Sequence, residues 1–209
     1  MTDALPTLKE ADALRADIYR LLATLLRQAP DAELLNWLAE LDIEQDGSRL
    51  AECWHALAAA AAGTKESGAE TERLQSAHFR HLVGVIQGDV IPYASWYRNG
   101  ELMEAALVAL RQDLRVLGFE RSEHTRDPED HLAALCEVMA MLIESASQEQ
   151  AYFFSQHLAP WAASCLADLG QVDTAFYAAL GQLGSAFMES EQARLSIDVG
   201  HTPVRIVER

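Results

Sequence analysis

An all-α fold is what this sequence predicts, and three observations predict it. Half of its 209 residues are hydrophobic, dominated by Ala and Leu, with few β-branched runs. Apolar residues recur at i, i+3, i+4 and i+7 in segment after segment, the spacing of a buried helical stripe. Glycine, proline and aspartate punctuate these segments, and such residues start or stop helices. We expect a single-domain bundle, residues 1–209, of about eight to ten helices.

The first helix runs from about Leu8 to Arg27, with Leu14, Ile18, Leu21, Leu22 and Leu25 as its stripe. Pro30-Asp31 stops it, and Asp31 caps a second helix, Ala32 to Leu41. Gly47-Ser48 opens a third, which carries Leu50, Cys53, Trp54 and Leu57. A polar loop is expected from Gly63 to Gly68. The fourth helix, Ala69 to about Val83, presents Leu74, His78, Phe79 and Leu82. Periodicity then breaks. Gly84 to Asn99 holds Gly84, Gly88 and Pro92 and reads as a long ordered loop carrying Tyr93, Trp96 and Tyr97. Long ordered loops in compact domains are often functional, and this aromatic density argues against disorder. A fifth helix, Glu101 to Leu117, ends at Gly118, and the polar connector Glu120 to Arg126 follows.

Asp127-Pro128-Glu129-Asp130-His131 reads as the start of a core helix. Asp127 is its expected N-cap, and Pro128 stands where a missing N–H does no harm. Glu129 and Asp130 set negative charge against the positive end of the dipole. Leu132, Leu135, Cys136, Met139, Leu142 and Ile143 then form one buried stripe. His131, in the first turn at the edge of that stripe, has two readings. It either hydrogen-bonds the preceding loop or joins Asp130 in a polar recognition corner. Glu137 reads as surface. Gln148 to about Leu169 is helical but broken at Pro160, a last helix runs from Asp173 to about Glu189, and Ile197 to Arg209 is a tail. Trp161 and Phe176 are expected in the core.

Net charge is −16 with no basic block, which argues against nucleic acid and favours cationic partners. Cys53, Cys136 and Cys165 lack metal or redox spacing, so buried free thiols in a reducing compartment are expected. Met1 to Leu8 carries no targeting signal, and the longest apolar run, Leu57 to Ala62, is too short for a bilayer. A cytoplasmic protein without stable membrane insertion is the expectation.

Familiar catalytic patterns are missing. No glycine-rich phosphate loop or dinucleotide fingerprint occurs, and Ser95 lacks the glycines of a nucleophile elbow. Glu52-Cys53-Trp54-His55 is a lone Glu-x-x-His, where a di-iron bundle needs two. His78 and His81 stand one turn apart with nothing to complete a metal site. No catalytic residue, metal or cofactor is expected.

The ordered series Phe79-x-x-Leu82-Val83-Gly84, Pro92-Tyr93-Ala94-Ser95-Trp96-Tyr97 and Pro128-Glu129-Asp130-His131-Leu132, with Glu137 and Met139, resembles the TorD/DmsD family of redox-enzyme maturation chaperones. Phe154-x-x-His157-Leu158-x-Pro160-Trp161 and Phe176-Tyr177 continue it, so the resemblance spans Phe79 to Tyr177. It implies an all-helical, cytoplasmic non-enzyme that binds the twin-arginine leader, and often the body, of a molybdopterin-containing oxidoreductase before cofactor loading and export. It implies peptide-binding roles for Phe79, Leu82, Pro92, Tyr93, Ser95, Trp96, Tyr97, Glu129, Asp130 and His131. It also implies homodimers formed by helix exchange, for which the polar connector between two helical blocks, around residues 118–127, is the expected hinge. Many members carry a second acid where this chain has Leu135, and a proline pair where it has Ile91-Pro92.

Chemistry points the same way. Paired arginines and an apolar segment call for carboxylates beside an aromatic, apolar groove. The chain has no Arg-Arg of its own, so it is not expected to be an exported twin-arginine substrate itself. Two other readings stay open: a helical adaptor for another amphipathic segment, and an enzyme using His131.

Overall fold

The computed structural model describes residues 9–65, 70–84, 88–100, 105–120 and 127–199. In chain order its helices are α1 (Glu10–Arg27), α2 (Ala32–Ala39), α3 (Arg49–Lys65), α4 (Glu70–His78), α5 (Ala94–Asn99), α6 (Ala105–Val116), α7 (Leu132–Glu144), α8 (Gln150–Phe153), α9 (Ala162–Leu169) and α10 (Ala175–Val199). The only β-type pairing among the described residues is an isolated antiparallel bridge between Tyr93 and His131. The protein is all-α, as its periodicity predicts.

The most extensive packing joins α1 to α7, followed by α10 against α9 and α3, and α2 against α3. One cluster of buried side chains runs through these elements, from Ala16 in α1 to Leu195 in α10. The α7 stripe is fully inside: Leu132, Leu135, Cys136 and Met139 are each 0% exposed. In α1 the expected stripe is displaced at one position. Leu14 is 60% exposed while Arg15 and Tyr19 are buried, because both reach Glu191 of α10. Trp161 and Phe176 lie in the core, and Cys53, Cys136 and Cys165 are buried free thiols.

Local signals decide several boundaries. The Asp31 carboxylate accepts the Leu34 N–H at 2.8 Å, which caps α2. Ser48 Oγ does the same for the Ala51 N–H at 3.1 Å, opening α3. That helix runs through Gly63 to Lys65, so the expected polar loop starts later than Gly63; residues 66–69 lie outside the described residues. At the other end, α10 reaches Val199 rather than stopping near Glu189. Its acidic last turns look like surface in sequence, yet Glu191 and Leu195 are buried against the body. The beginning of the fifth helix at 101–104, the connector 121–126 and the tail 200–209 also lie outside the described residues.

Two π-helical turns interrupt the bundle. After α4 the chain widens over Phe79–Val83, where the Gly84 N–H donates to Phe79 O at 2.6 Å. Asp89 and Val90 then fold back onto Arg80 and His81 through backbone hydrogen bonds of 3.2 and 2.8 Å. Gly88 permits that return, since a Cβ there would sit 2.7 Å from His81 O. The second π turn, Phe154–Leu158, precedes Pro160, which has no N–H to continue a helical ladder. The break expected at Pro160 is therefore real. No helix among the described residues is long and apolar enough to cross a membrane.

Candidate functional site

The segments Ile91–Ser95 and Asp130–Ala133 start two helices together. The Leu132 N–H donates to Pro92 O at 2.8 Å, and the Ala94 N–H donates to Asp130 O at 3.0 Å. These two bonds form the Tyr93–His131 bridge. The Asp130 carboxylate then accepts the Ser95 N–H at 2.9 Å, so its charge meets the N-terminus of α5.

This geometry corrects the expected helix start. The N-cap of α7 is His131, held in an extended conformation, and its Nδ1 accepts the Ala133 N–H at 3.0 Å. Asp127 is not the cap. Pro128 to Asp130 form a turn ahead of the helix, closed by the His131 N–H on Pro128 O at 3.2 Å. Bridging to the Pro92 segment keeps His131 out of helical geometry, so α7 cannot begin sooner. A second correction concerns the long loop: residues 94–99 are helical, and Ser95, Trp96 and Tyr97 sit on α5.

His131 is neutral at ordinary pH. Burial pushes its pKa down to about 4, against the opposing pull of Asp127 and Asp130. With Nδ1 accepting a hydrogen bond, the one ring hydrogen of the neutral form sits on Nε2. The Tyr93 ring packs edge-on against this imidazole, with centroids 4.9 Å apart. Burial, with Asp127 and Asp130 nearby, pushes the Tyr93 phenol up to about 12.

The structure brings together some of the ten expected residues and separates others. Leu82, Pro92, Tyr93 and His131 line a cavity of about 250 Å³, with Leu26, Val90 and Ile91 as further apolar wall. Glu129 lines a second cavity of about 720 Å³, beside Leu114, Phe119, Val138 and Met141. The two cavities meet at Arg27 and Asp127, which line both. Ser95 and Asp130 lie beneath this surface, Asp130 being 1% exposed and His131 only 6%. Tyr97 turns away: its hydroxyl donates to Asp168 at 2.7 Å and its ring tilts over Trp161. Phe79, 48% exposed, and Trp96 line neither cavity.

Sequence reading misses the arginines. Arg27 Nη2 donates to Glu137 at 2.9 Å, so Glu137 is a partner rather than bare surface. Arg111 grips Glu129 through Nε at 3.1 Å and Nη2 at 2.8 Å. Glu120, Asp127, Glu129 and Glu137 thus share one cavity with Arg27, Arg111 and Arg115 and with apolar side chains. The only prior signals are that Arg27 closes α1 and that Arg111 lies on an amphipathic helix. Neither signal names a partner. The two histidines of α4 and its π turn prove structural. His78 Nε2 meets Leu26 O at 3.3 Å, and buried His81 bridges Asp89 at 2.7 Å and Thr174 at 2.8 Å. Among the described residues no group of three or more His, Cys, Asp or Glu side chains could hold a metal ion.

Comparison with known proteins places the chain in a family. The family model described as nitrate reductase delta subunit matches residues 44–167, more than half of the chain. A Tat proofreading chaperone, DmsD, of Salmonella typhi is 31% identical over 137 residues, covering 64% of this chain and 67% of that one. A chaperone protein TorD of Shewanella piezotolerans is 27% identical over 202 residues, covering 88% and 94%. A solved structure described as a redox enzyme maturation protein, from Archaeoglobus fulgidus, aligns over 93% of this chain and 99% of that one, at 15% identity and a TM-score of 0.49. The chain belongs to the TorD/DmsD family of redox-enzyme maturation chaperones.

Proposed function

We propose that this protein binds the twin-arginine leader and the apo form of a molybdopterin-containing oxidoreductase, in the cytoplasm. It holds back export until the cofactor is in place, and it acts by binding, without turnover. The meeting of the two cavities at Arg27 and Asp127 carries this reading. A leader offers guanidinium groups followed by an apolar segment. The larger cavity offers Glu129 and Glu137 beside Leu114, Val138 and Met141, and the smaller one extends the apolar wall through Leu82, Pro92 and Tyr93. Charge-assisted contacts to arginine and apolar burial are the two interactions such a ligand needs. That a relative is named a Tat proofreading chaperone supports the same ligand.

Ser95, Asp130 and His131 serve this surface by building it, because their hydrogen bonds hold Pro92 and Tyr93 against the start of α7. Calorimetric titration with the synthetic leader of a molybdoenzyme from the native host tests the proposal. Wild type is expected to bind it, and Tyr93→Ala to weaken binding roughly tenfold, a loss of ~1.4 kcal/mol. Equal affinity for an amphipathic helix without arginines would favour the adaptor reading instead.

A further inference from the structure

We infer that Arg27 and Arg111 are resident substitutes for a guest's guanidinium groups, and that the larger cavity binds its guest by arginine exchange. This rests on the leader-binding reading and names what sets its selectivity. Both carboxylates belong to α7 or the turn before it, whereas Arg27 comes from α1 and Arg111 from α6. Both ion pairs are partly exposed, so an incoming cation can reach them. The acids stay in place on one segment while their partners, on flexible stems from other helices, can swing away.

Exchange has two physical consequences. An ammonium replacing a guanidinium swaps one charge for one charge and loses the two-donor grip that Arg111 has on Glu129, whereas an incoming arginine restores it. The cavity therefore rejects lysine more than an empty acidic groove would. The number of ion pairs is also unchanged on binding, so salt screening acts almost equally on the free and bound states.

The two resident arginines are not held equally. Arg111 uses both Nε and Nη2 on Glu129. Arg27 reaches Glu137 through Nη2, while its buried Nε has no hydrogen-bond partner among the described residues. A buried donor without a partner is destabilising, so releasing Arg27 relieves a defect that releasing Arg111 does not. Exchange begins at Glu137.

The test is calorimetry at low and high salt with two synthetic peptides, an Arg-Arg pair followed by a leucine-rich segment and its Lys-Lys counterpart. Wild type is expected to prefer Arg-Arg by about tenfold, with little salt dependence. Arg27→Gln and Arg111→Gln are expected to bind both peptides more tightly, with the preference shrinking and the salt dependence growing. Arg27→Lys and Arg111→Lys keep the charge and the packed stem, so they serve if a Gln variant misfolds; their weaker grip is also expected to tighten Arg-Arg binding. Wild-type binding of Arg-Arg, with every variant equal or weaker, would overturn the exchange and leave the leader reading standing. No binding by wild type or any variant would overturn both.

Discussion

Asp130 caps a helix to which it does not belong: its Oδ2 accepts the N–H of Ser95, 35 residues earlier, at 2.9 Å. Its own backbone carbonyl takes the neighbouring Ala94 N–H. A six-residue helix such as α5 has little stability of its own, so this borrowed cap is what sets its start. Removing the carboxylate takes away the acceptor, and losses at N-caps are ~1–2 kcal/mol. Asp130→Ala is expected to lower the urea midpoint accordingly, while Asp130→Asn, which keeps an accepting oxygen, retains most of the stability. Equal losses in both variants would assign the effect to the charge rather than the hydrogen bond.

His131 links stability to acid. Capping requires a bare Nδ1, which protonation removes. Its folded pKa of about 4 lies below the unfolded value of about 6.5. The contribution is therefore complete above pH 6.5 and is lost as pH falls towards 4. The shift corresponds to ~3 kcal/mol over that window. His131→Asn can still cap the helix but does not titrate, so its stability should fall less steeply than wild type between pH 6.5 and 4. Parallel curves would show that His131 is protonated without penalty. Because Asp130 and His131 are buried, a leader-binding loss in either variant must be read against melting measured on the same sample.

What the sequence discloses, it discloses through neighbours along the chain. The α7 stripe, the Asp31 cap, the break at Pro160 and the buried cysteines are all local patterns, and all are present. The start of α7 is misassigned because Asp127-Pro128-Glu129 is a sound local cap signal, overridden by a distant hydrogen bond to Pro92. For the same reason α5 reads as loop: it has no apolar stripe, and its cap comes from Asp130. Of the expected peptide-binding residues, Leu82, Pro92, Tyr93, Glu129 and His131 line the two cavities, whereas the burial of Ser95 and Asp130 has no signal in their residue types. The Arg27–Glu137 and Arg111–Glu129 pairs were not legible either, since an arginine facing a chain this rich in acids has many equally plausible partners in sequence.

The end of α7 carries a misfit. Ala146 has φ of 50°, in the left-handed region that favours glycine. The Ser147 N–H donates to Leu142 O and the Ala146 N–H to Ile143 O, both at 2.9 Å, which is the paired hydrogen-bond pattern of a Schellman stop. Ala146 is exposed, so its methyl contributes little packing to offset the strain. Ala146→Gly is expected to raise stability by ~1 kcal/mol. A fall in melting temperature would show that the chain's added freedom when unfolded outweighs the strain removed.

Glu191 holds the long α10 to α1. It is 2% exposed and accepts Arg15 Nε at 2.6 Å, Arg15 Nη2 at 2.7 Å and the Tyr19 hydroxyl at 3.1 Å. Breaking one side of a buried pair leaves a charge without its partner, at a cost of ~3–5 kcal/mol. Glu191→Ala is therefore expected to be among the most damaging single changes. Arg15→Met with Glu191→Leu should recover a large part of the loss, because apolar groups of similar size remove the desolvation problem. Equal melting temperatures for the single and double variants would count against that account.

Met141 gives the cleanest probe of the larger cavity. It lines that space beside Val138 and Leu114, yet it is 38% exposed, so the fold does not depend on it. Surface substitutions of this kind usually change stability by less than ~0.5 kcal/mol. If the cavity's apolar lining receives the apolar part of a leader, Met141→Gln removes apolar contact and places an amide where it must be desolvated on binding. The expected result is a five- to tenfold weaker affinity, ~1 kcal/mol, with an unchanged melting temperature. Titration of the leader against Met141→Gln and against Tyr152→Gln, an exposed position outside both cavities, separates a local effect from a general one. Equal affinity for both variants and wild type would move the apolar segment off this lining and leave only the carboxylates as contacts there.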